Sequence, residues 1–430
     1  MSRIGSYGAS QMYLSRLMAI QQRIAQEQIQ VSTEKKSTNY TGIAADANRL
    51  INIENEKTKA ESFIKSNDMA TTRLKAADIS MTAIEKTMKE FRDRLDDFAQ
   101  NATNGQQEVE ALQKWAYQAM MDMKSYLAAN VDGQYIFSGG RVSDEPVQLP
   151  ANSLAEFQQI YDGDGITYPT TRAAALADIH TDDSQTGDIQ FGAGGVITAD
   201  TSSITGTNVL ANLPVGARIT IGGGVNDGKS FTVQSVTVDG TGDTIITVTP
   251  AADLTAAAAA GGISIDANSW YKGDTIQIQQ RIDTDRIIDL GVYASDPAFE
   301  KAFRAMGLIA QGAYGTPGGL DQNLERVDQA RFLIKDAISR NGTGLGPFGQ
   351  EQSGDLEQLQ TQVGVSASMI ATKNAKHQSF AGFLDQRIIG LENVDKTEAV
   401  TRLLDDQTAL QTSYQALASI RQLSLLNYMK

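Results

Sequence analysis

A chain of 430 residues that is 41% hydrophobic and 20% charged is long enough for two or three domains and too apolar to stay disordered. It contains no cysteine and only two histidines, His180 and His377, which excludes disulfides and thiolate chemistry and removes most routes to zinc or imidazole catalysis. The net charge of −14 argues against nucleic acid as a partner, and it is uneven: between Ala151 and Trp270, 13 Asp/Glu stand against 3 Lys/Arg. No apolar run is long enough to span a membrane, and the first residues lack the unbroken apolar core of a cleavable signal peptide. Aromatic residues make up 7%, which suits long bundles of Ala, Leu, Ile and Met better than one large globular core.

Along the chain, the ends and the middle differ in kind. Residues 1–145 and 348–430 contain no proline, and glycine is sparse up to residue 130 but occurs 16 times between 151 and 270. Since neither residue suits a helix interior, the pattern predicts helical ends around a non-helical centre. Tyr13, Leu17, Ile20, Ile24 and Val31 fall at heptad spacing in a first helix, which the segment Ser37–Gly42 interrupts. Ile84, Met88, Phe91, Leu95, Phe98 and Ala102 continue the spacing in a second helix, roughly 75–80 Å long if unbroken from Ile51. Asn104–Gly105 is its predicted stop, and helix resumes over 108–130.

Gln134–Gly140 reads as a short strand or hairpin. In the middle, Ala217–Ile221, Ser230–Val238 and Thr244–Thr249 alternate as strands separated by NDG and GTGD turns, predicting a small all-β insertion within about 189–268. Helix returns at Leu356, Leu359, Val363 and Ile370 and continues through Phe380, Leu384, Ile388 and Leu391. Leu403, Leu410 and Leu417 then recur every seven residues, with Val400 and Tyr414 on the adjacent row. A single apolar stripe is unstable without a partner, and antiparallel pairing of the two ends is the simplest way to bury both.

Two motifs suggest chemistry and neither holds. Gly223–Ser230 (GGVNDGKS) satisfies the phosphate-loop spacing, but the β-branched, alternating FTVQSVTV that follows supplies no helix N-terminus to cradle phosphate. Asp162-Gly-Asp-Gly suggests a calcium loop, yet Ala173 stands where the closing carboxylate belongs, so a solvated turn is the better reading. His377 sits in a helical stretch with no carboxylate pattern nearby and reads as an exposed helix residue. No catalytic, cofactor-binding or metal-binding residues are predicted, and the chain does not read as an enzyme.

Both ends of the chain carry a resemblance. Phe91–Gln100 followed by Asn101-Ala-Thr-Asn-Gly105, then Val131–Gly140 (VDGQYIFSGG), Tyr271-Lys-Gly-Asp274, Arg281-Ile-Asp283, Asp296-Pro-Ala-Phe299 and Asp395–Met429 occur in an order that resembles the bacterial flagellin family. The ending Ser424-Leu-Leu-Asn-Tyr-Met is similar to the hook-associated type within it rather than to filament flagellin. Tyr135, Ile136, Phe137, Ser138 and Gly139 are the family-motif residues, while Tyr13, Leu17, Ile20, Ile24, Val31, Leu403, Leu410, Tyr414 and Leu417 belong to the assembly helices. Arg94 matches the first of two arginines by which flagellins are recognised by an innate immune receptor, but Asp96 stands at the second, so that pattern is incomplete.

The resemblance implies a mainly α fold with an inserted β domain: a long antiparallel, coiled-coil-like helical rod from the two terminal segments, with an all-β head in the middle. Its expected divisions are an assembly helix at 1–45, rod helices and hairpin at 46–150, an acidic linker and β head at 151–270, the returning rod at 271–391 and a second assembly helix at 392–430. It further implies a structural subunit, exported unfolded by the flagellar type III apparatus and located outside the cell. Such a subunit would form the ring between hook and filament, with the filament subunit itself as the alternative. The implied partners are copies of itself, a neighbouring hook-associated protein, flagellin and an export chaperone, with no nucleic acid and no membrane.

Overall fold

The computed structural model describes residues 3–101, 105–183, 189–200, 209–258, 262–340 and 345–426. In chain order, helices α1 (Arg3–Thr33), α2 (Ala47–Gln100) and α3 (Gln106–Leu127) lead into the hairpin β1 (Asn130–Val131) and β2 (Gln134–Tyr135) and two short helices, α4 (Leu154–Ile160) and α5 (Arg172–Ala175). The strands β3 (Ile179–Asp183), β4 (Ile189–Gly192), β5 (Val196–Ala199), β6 (Arg218–Gly222), β7 (Ser230–Val238), β8 (Thr244–Thr249) and β9 (Ile263–Ala267) follow. A hairpin of β10 (Gln279–Asp283) and β11 (Arg286–Asp289) precedes α6 (Pro297–Ala310) and α7 (Glu325–Ile338). The chain then makes a last small hairpin, β12 (Leu345–Gly346) and β13 (Gly349–Gln350), and two long helices, α8 (Leu356–Glu392) and α9 (Lys396–Leu426). The fold is mainly α with an antiparallel β insertion in the middle, as the distribution of glycine and proline predicts.

The chain divides into two compact units, Met1–Ser66 with Thr372–Lys430, and Asn67–Ala371. In the first, α1 and α9 run antiparallel. Arg23 makes a two-pronged contact to Asp406 at 2.8 and 2.9 Å, and Gln21 Nε2 donates to the Tyr414 hydroxyl at 2.7 Å. The turn after α1 is stitched to the α8–α9 connection by backbone bonds: Lys36 N donates to Glu392 O at 2.7 Å and Val394 N to Glu34 O at 3.0 Å. Glu34 ends α1 in the left-handed region (φ 60°), where the chain reverses away from the helix. The first turns of α2 lie antiparallel to the end of α8, with Lys57 on Asp385 at 2.5 Å and the Phe63 and His377 rings stacked 5.1 Å apart. His377 is therefore a half-buried stacking residue rather than an exposed one.

The second unit holds two cores. The helical core gathers Leu74, Met81, Ile84, Met88, Phe91 and Leu95 of α2 with α3, α6, α7 and Leu356, Val363 and Ile370 of α8. Helix α6 is buried throughout, charges included: Glu300, Lys301 and Arg304 all lie inside. They survive burial because each is matched. Arg304 is held between the carboxylates of Glu300 and Glu351, and Lys301 reaches Asp336 at 2.5 Å.

The second core lies on the β insertion, a seven-stranded antiparallel sheet ordered β3-β9-β6-β7-β8-β5-β4. Along β6 and β8 burial alternates residue by residue, so Ile219, Ile221, Ile246 and Val248 point to the core. A register shift between Val233 and Ser235 bends β7. The phosphate-loop motif is a turn into β7: no helix follows it, and Lys229 Nζ is tied to Asn226 Oδ1 at 3.1 Å, Asp253 O at 2.9 Å and Thr255 Oγ1 at 3.0 Å.

Candidate assembly surface

Each heptad stripe faces the other. On α1, Leu17 is buried and Ile20, Ile24 and Val31 are half-buried, while Tyr13 is exposed; on α9, Leu403, Leu410 and Leu417 are half-buried and the exposed Tyr414 accepts its bond from Gln21. Polar groups border this seam. Glu27 beside it has its pKa raised by partial burial and by the Asp406 charge, while Arg23 holds the Asp406 carboxyl below its ordinary value.

Two helices cannot cover one another on every side. Met18 is 61% exposed, Ile29 48% and Leu404 57%, and Met12 and Leu14 are also open. At about 100° per residue, Leu14, Met18 and Ile29 fall within roughly 60° of one another, in a mean direction about 120° from the Leu17–Ile20–Ile24 seam. Helix α1 thus carries a second, uncovered apolar stripe that heptad counting from Tyr13 passes over. Its signal was the i, i+4, i+15 spacing of these three residues, masked by the stronger seam. The end of α8 adds Phe380, Phe383 and Ile389 to the exposed apolar residues of this unit. These open apolar residues make the end helices the candidate surface for contact with further protein.

The other predicted residues meet in the second unit. Phe137 and Ser138 are buried, the Phe137 carbonyl accepts from Ala294 N at 2.9 Å, and the ring meets Phe299 edge-on at 6.1 Å. The Ser138 carbonyl accepts from Asp274 N at 3.0 Å, and Asp274 Oδ1 accepts from Gly140 N at 2.6 Å. Gly139 sits at φ 68°, and a Cβ there would come within 2.2 Å of the Asp274 carbonyl oxygen, so the backbone itself requires glycine. Three separated motifs, Tyr135–Gly139, Tyr271–Asp274 and Asp296–Phe299, therefore close on one another. Ile136 is buried beside them and Tyr135 pairs with Asn130 in the β1–β2 hairpin. Asp296 precedes α6, its carboxylate accepting from Tyr293 N at 2.8 Å rather than from the helix, and burial pushes its pKa up to about 6.

The departure at Asp96 also has a physical partner. Arg331 Nε lies 2.6 Å and Lys335 Nζ 3.7 Å from its carboxylate, while Arg94 lies over the Trp115 ring, 5.0 Å from its centroid. Residues 102–104 of the Asn101–Gly105 motif and residues 427–430 lie outside the described residues, as do the side chains of 420–426. Among the described residues, no group of three His, Asp or Glu side chains could hold a metal ion, and no helix is long and apolar enough to cross a membrane.

Paired terminal helices with apolar residues left open, and a second unit that carries a β insertion, define a mainly helical chain with a candidate assembly surface on its end helices. Residues 350–429, which span α8 and α9, match the family model of the bacterial flagellin C-terminal helical region. No curated protein matches the sequence. Among solved structures, the chain is similar to one assigned as a flagellar hook-associated protein from Vibrio parahaemolyticus, at 9% identity and a TM-score of 0.43, with 81% of this chain and 99% of that chain covered. It is also similar to the flagellar junction protein FlgL from Legionella pneumophila (14% identity, TM-score 0.26, coverage 77% and 99%) and to Xanthomonas campestris FlgL (11%, 0.23, 84% and 98%). At TM-scores below 0.5 these are likenesses only.

Proposed function

We propose that this chain is a structural, non-enzymatic subunit of the bacterial flagellum and that it forms the ring between hook and filament. The observation that carries the structural role is the flagellin C-terminal helical region folded back on α1, with Met18, Ile29 and Leu404 left open on the resulting pair. A second copy supplies the cover for that stripe, and the hook-associated protein and flagellin lie on either side of the ring. Export in an unfolded state through the flagellar type III apparatus, with a chaperone holding the assembly helices, suits segments whose apolar faces gain all their partners only on assembly. The choice of junction over filament rests on the ending Ser424–Met429.

Deletion followed by electron microscopy tests the placement. A junction subunit leaves intact hooks without filaments and flagellin shed into the medium, and immunogold labels only the hook–filament boundary; label along the filament overturns the junction in favour of the flagellin alternative. Replacing Leu410 and Leu417 together by Asp opens the α1–α9 seam and is expected to abolish motility while the β insertion still folds. Full motility in that variant would remove the assembly role from α9.

A further inference from the structure

Arg218 is a part-buried cation of the second unit matched differently from its neighbours: Arg326, which also lacks a carboxylate, donates to the Gly318 and Gln311 carbonyls. Arg304 has two carboxylates and Lys301 has one, but among the described residues no carboxylate lies within ion-pairing distance of Arg218. Its guanidinium lies over the face of Tyr161, 5.2 Å from the ring centroid, and its Nε is buried without a hydrogen-bond partner. Burial lowers its pKa, and Tyr161 is the group that opposes the effect. An aromatic face offsets only part of the cost of taking a guanidinium out of water, so the site is electrostatically incomplete.

The same side chain borders a cavity of about 310 Å³ whose lining includes Tyr161, Tyr168, Trp270, Asn268 and Lys272. That volume is at the small end of ligand pockets. Tyr161 and Tyr168 meet edge to face at 4.9 Å, and the Trp270 indole nitrogen is buried without a partner. Lys272 adds a second positive charge, shared with Asp178 at 3.8 Å. Aromatic side chains, a carboxamide and two cations in one lining match a ring with an apolar C–H face, several hydroxyls and one negative group. Arg218 also borders a wider groove of about 850 Å³, but Glu156, Asp162 and Asp253 line it and would repel an anion. We propose that the smaller cavity binds a saccharide bearing a carboxylate, of the uronic-acid class, with the carboxylate on Arg218 and the ring against the aromatic side chains.

The test is calorimetry of the full chain with D-glucuronate, D-glucose, benzoate and sodium sulfate, alongside Arg218→Gln. Glucuronate is expected to bind in the millimolar range or tighter, and Arg218→Gln to weaken it at least tenfold, the scale of a charge-assisted hydrogen bond. Glucose, benzoate and sulfate should each bind at least tenfold more weakly than glucuronate. Absence of glucuronate binding to the wild-type chain, or equal binding by Arg218→Gln, overturns the site. Equal binding of sulfate reduces it to a plain anion site, and equal binding of benzoate to an aromatic-acid site; either overturns the saccharide assignment. If Arg218→Gln does not fold, the wild-type melting temperature decides: a rise with glucuronate and none with glucose supports the proposal, and no rise defeats it.

Discussion

The two units bury apolar residues in opposite ways. In the unit of Asn67–Ala371, α6 is enclosed on all sides, and even its Glu300, Lys301 and Arg304 are inside and matched. In the unit of Met1–Ser66 with Thr372–Lys430, α1 and α9 share one seam, and Met18 and Leu404 remain more than half exposed. One unit encloses a whole helix while leaving Ile79 and Leu345 open at its surface; the other leaves apolar side chains open on the very helices that pair its two chain segments. A folding core and an assembly element therefore differ less in composition than in how many sides of a helix find a partner within the chain.

The largest effect that would break this contrast is Arg304→Ala. It leaves Glu351 buried without its cation and Glu300 with only Arg172, 3.8 Å away, and should cost about 3–5 kcal/mol in denaturant unfolding. A much smaller loss would mean that the second unit relaxes around its charges as an open surface does. Gly139→Ala should cost about 1–3 kcal/mol, since its φ of 68° and the nearby Asp274 carbonyl both oppose a Cβ. An unchanged unfolding midpoint would show that the three motifs do not need to close.

Asp296 offers a pH test. Its folded pKa of about 6 lies above the ordinary aspartate value, so the folded state takes up a proton that the unfolded chain does not. Its contribution is fully present below about pH 4 and is lost as pH rises through about 6. Asp296→Asn keeps an oxygen to accept from Tyr293 N and should be more stable than wild type at pH 7.5 by about 1–2 kcal/mol, a difference that vanishes near pH 4. A pH-independent difference would remove burial as the cause.

The smallest effect on stability belongs to the outer stripe. Met18→Gln with Ile29→Gln should shift unfolding of the monomer by less than about 0.5 kcal/mol, yet abolish self-association in sedimentation. Normal association in that variant would move the assembly face off α1.

Strands with strict alternation were legible to the residue: β7 and β8 begin and end where the β-branched pattern of 230–238 and 244–249 does. The α1 and α9 seams were legible for the same reason, because a heptad writes its partner's direction into spacing. Helix α6 was not. PAFEKAFRAMGLIA places three charges among its apolar residues, and polarity alone reads these as a solvated face, whereas Asp336 and Glu351, far along the chain, make burial tolerable. Long-range matching of this kind leaves no local signature. Asp96 shows it again: an exception to the flagellin pattern in sequence, it is in space the partner of Arg331 and Lys335. The cavity beside Arg218 was likewise out of reach, since Tyr161, Arg218 and Trp270 come from separate stretches and meet only through the sheet.

The seam between α1 and α9 also sets an order of events in biosynthesis. Arg23 and Asp406 lie 383 residues apart, and closing a free loop of that length costs about 5 kcal/mol of chain entropy. A ribosome delivers α1 well before α9, so α1 waits with its seam open while the intervening chain is made. Premature termination anywhere before α9 would leave the same unit unfinished as loss of α1 itself, and each truncated chain would expose a helix primed to pair with the wrong copy.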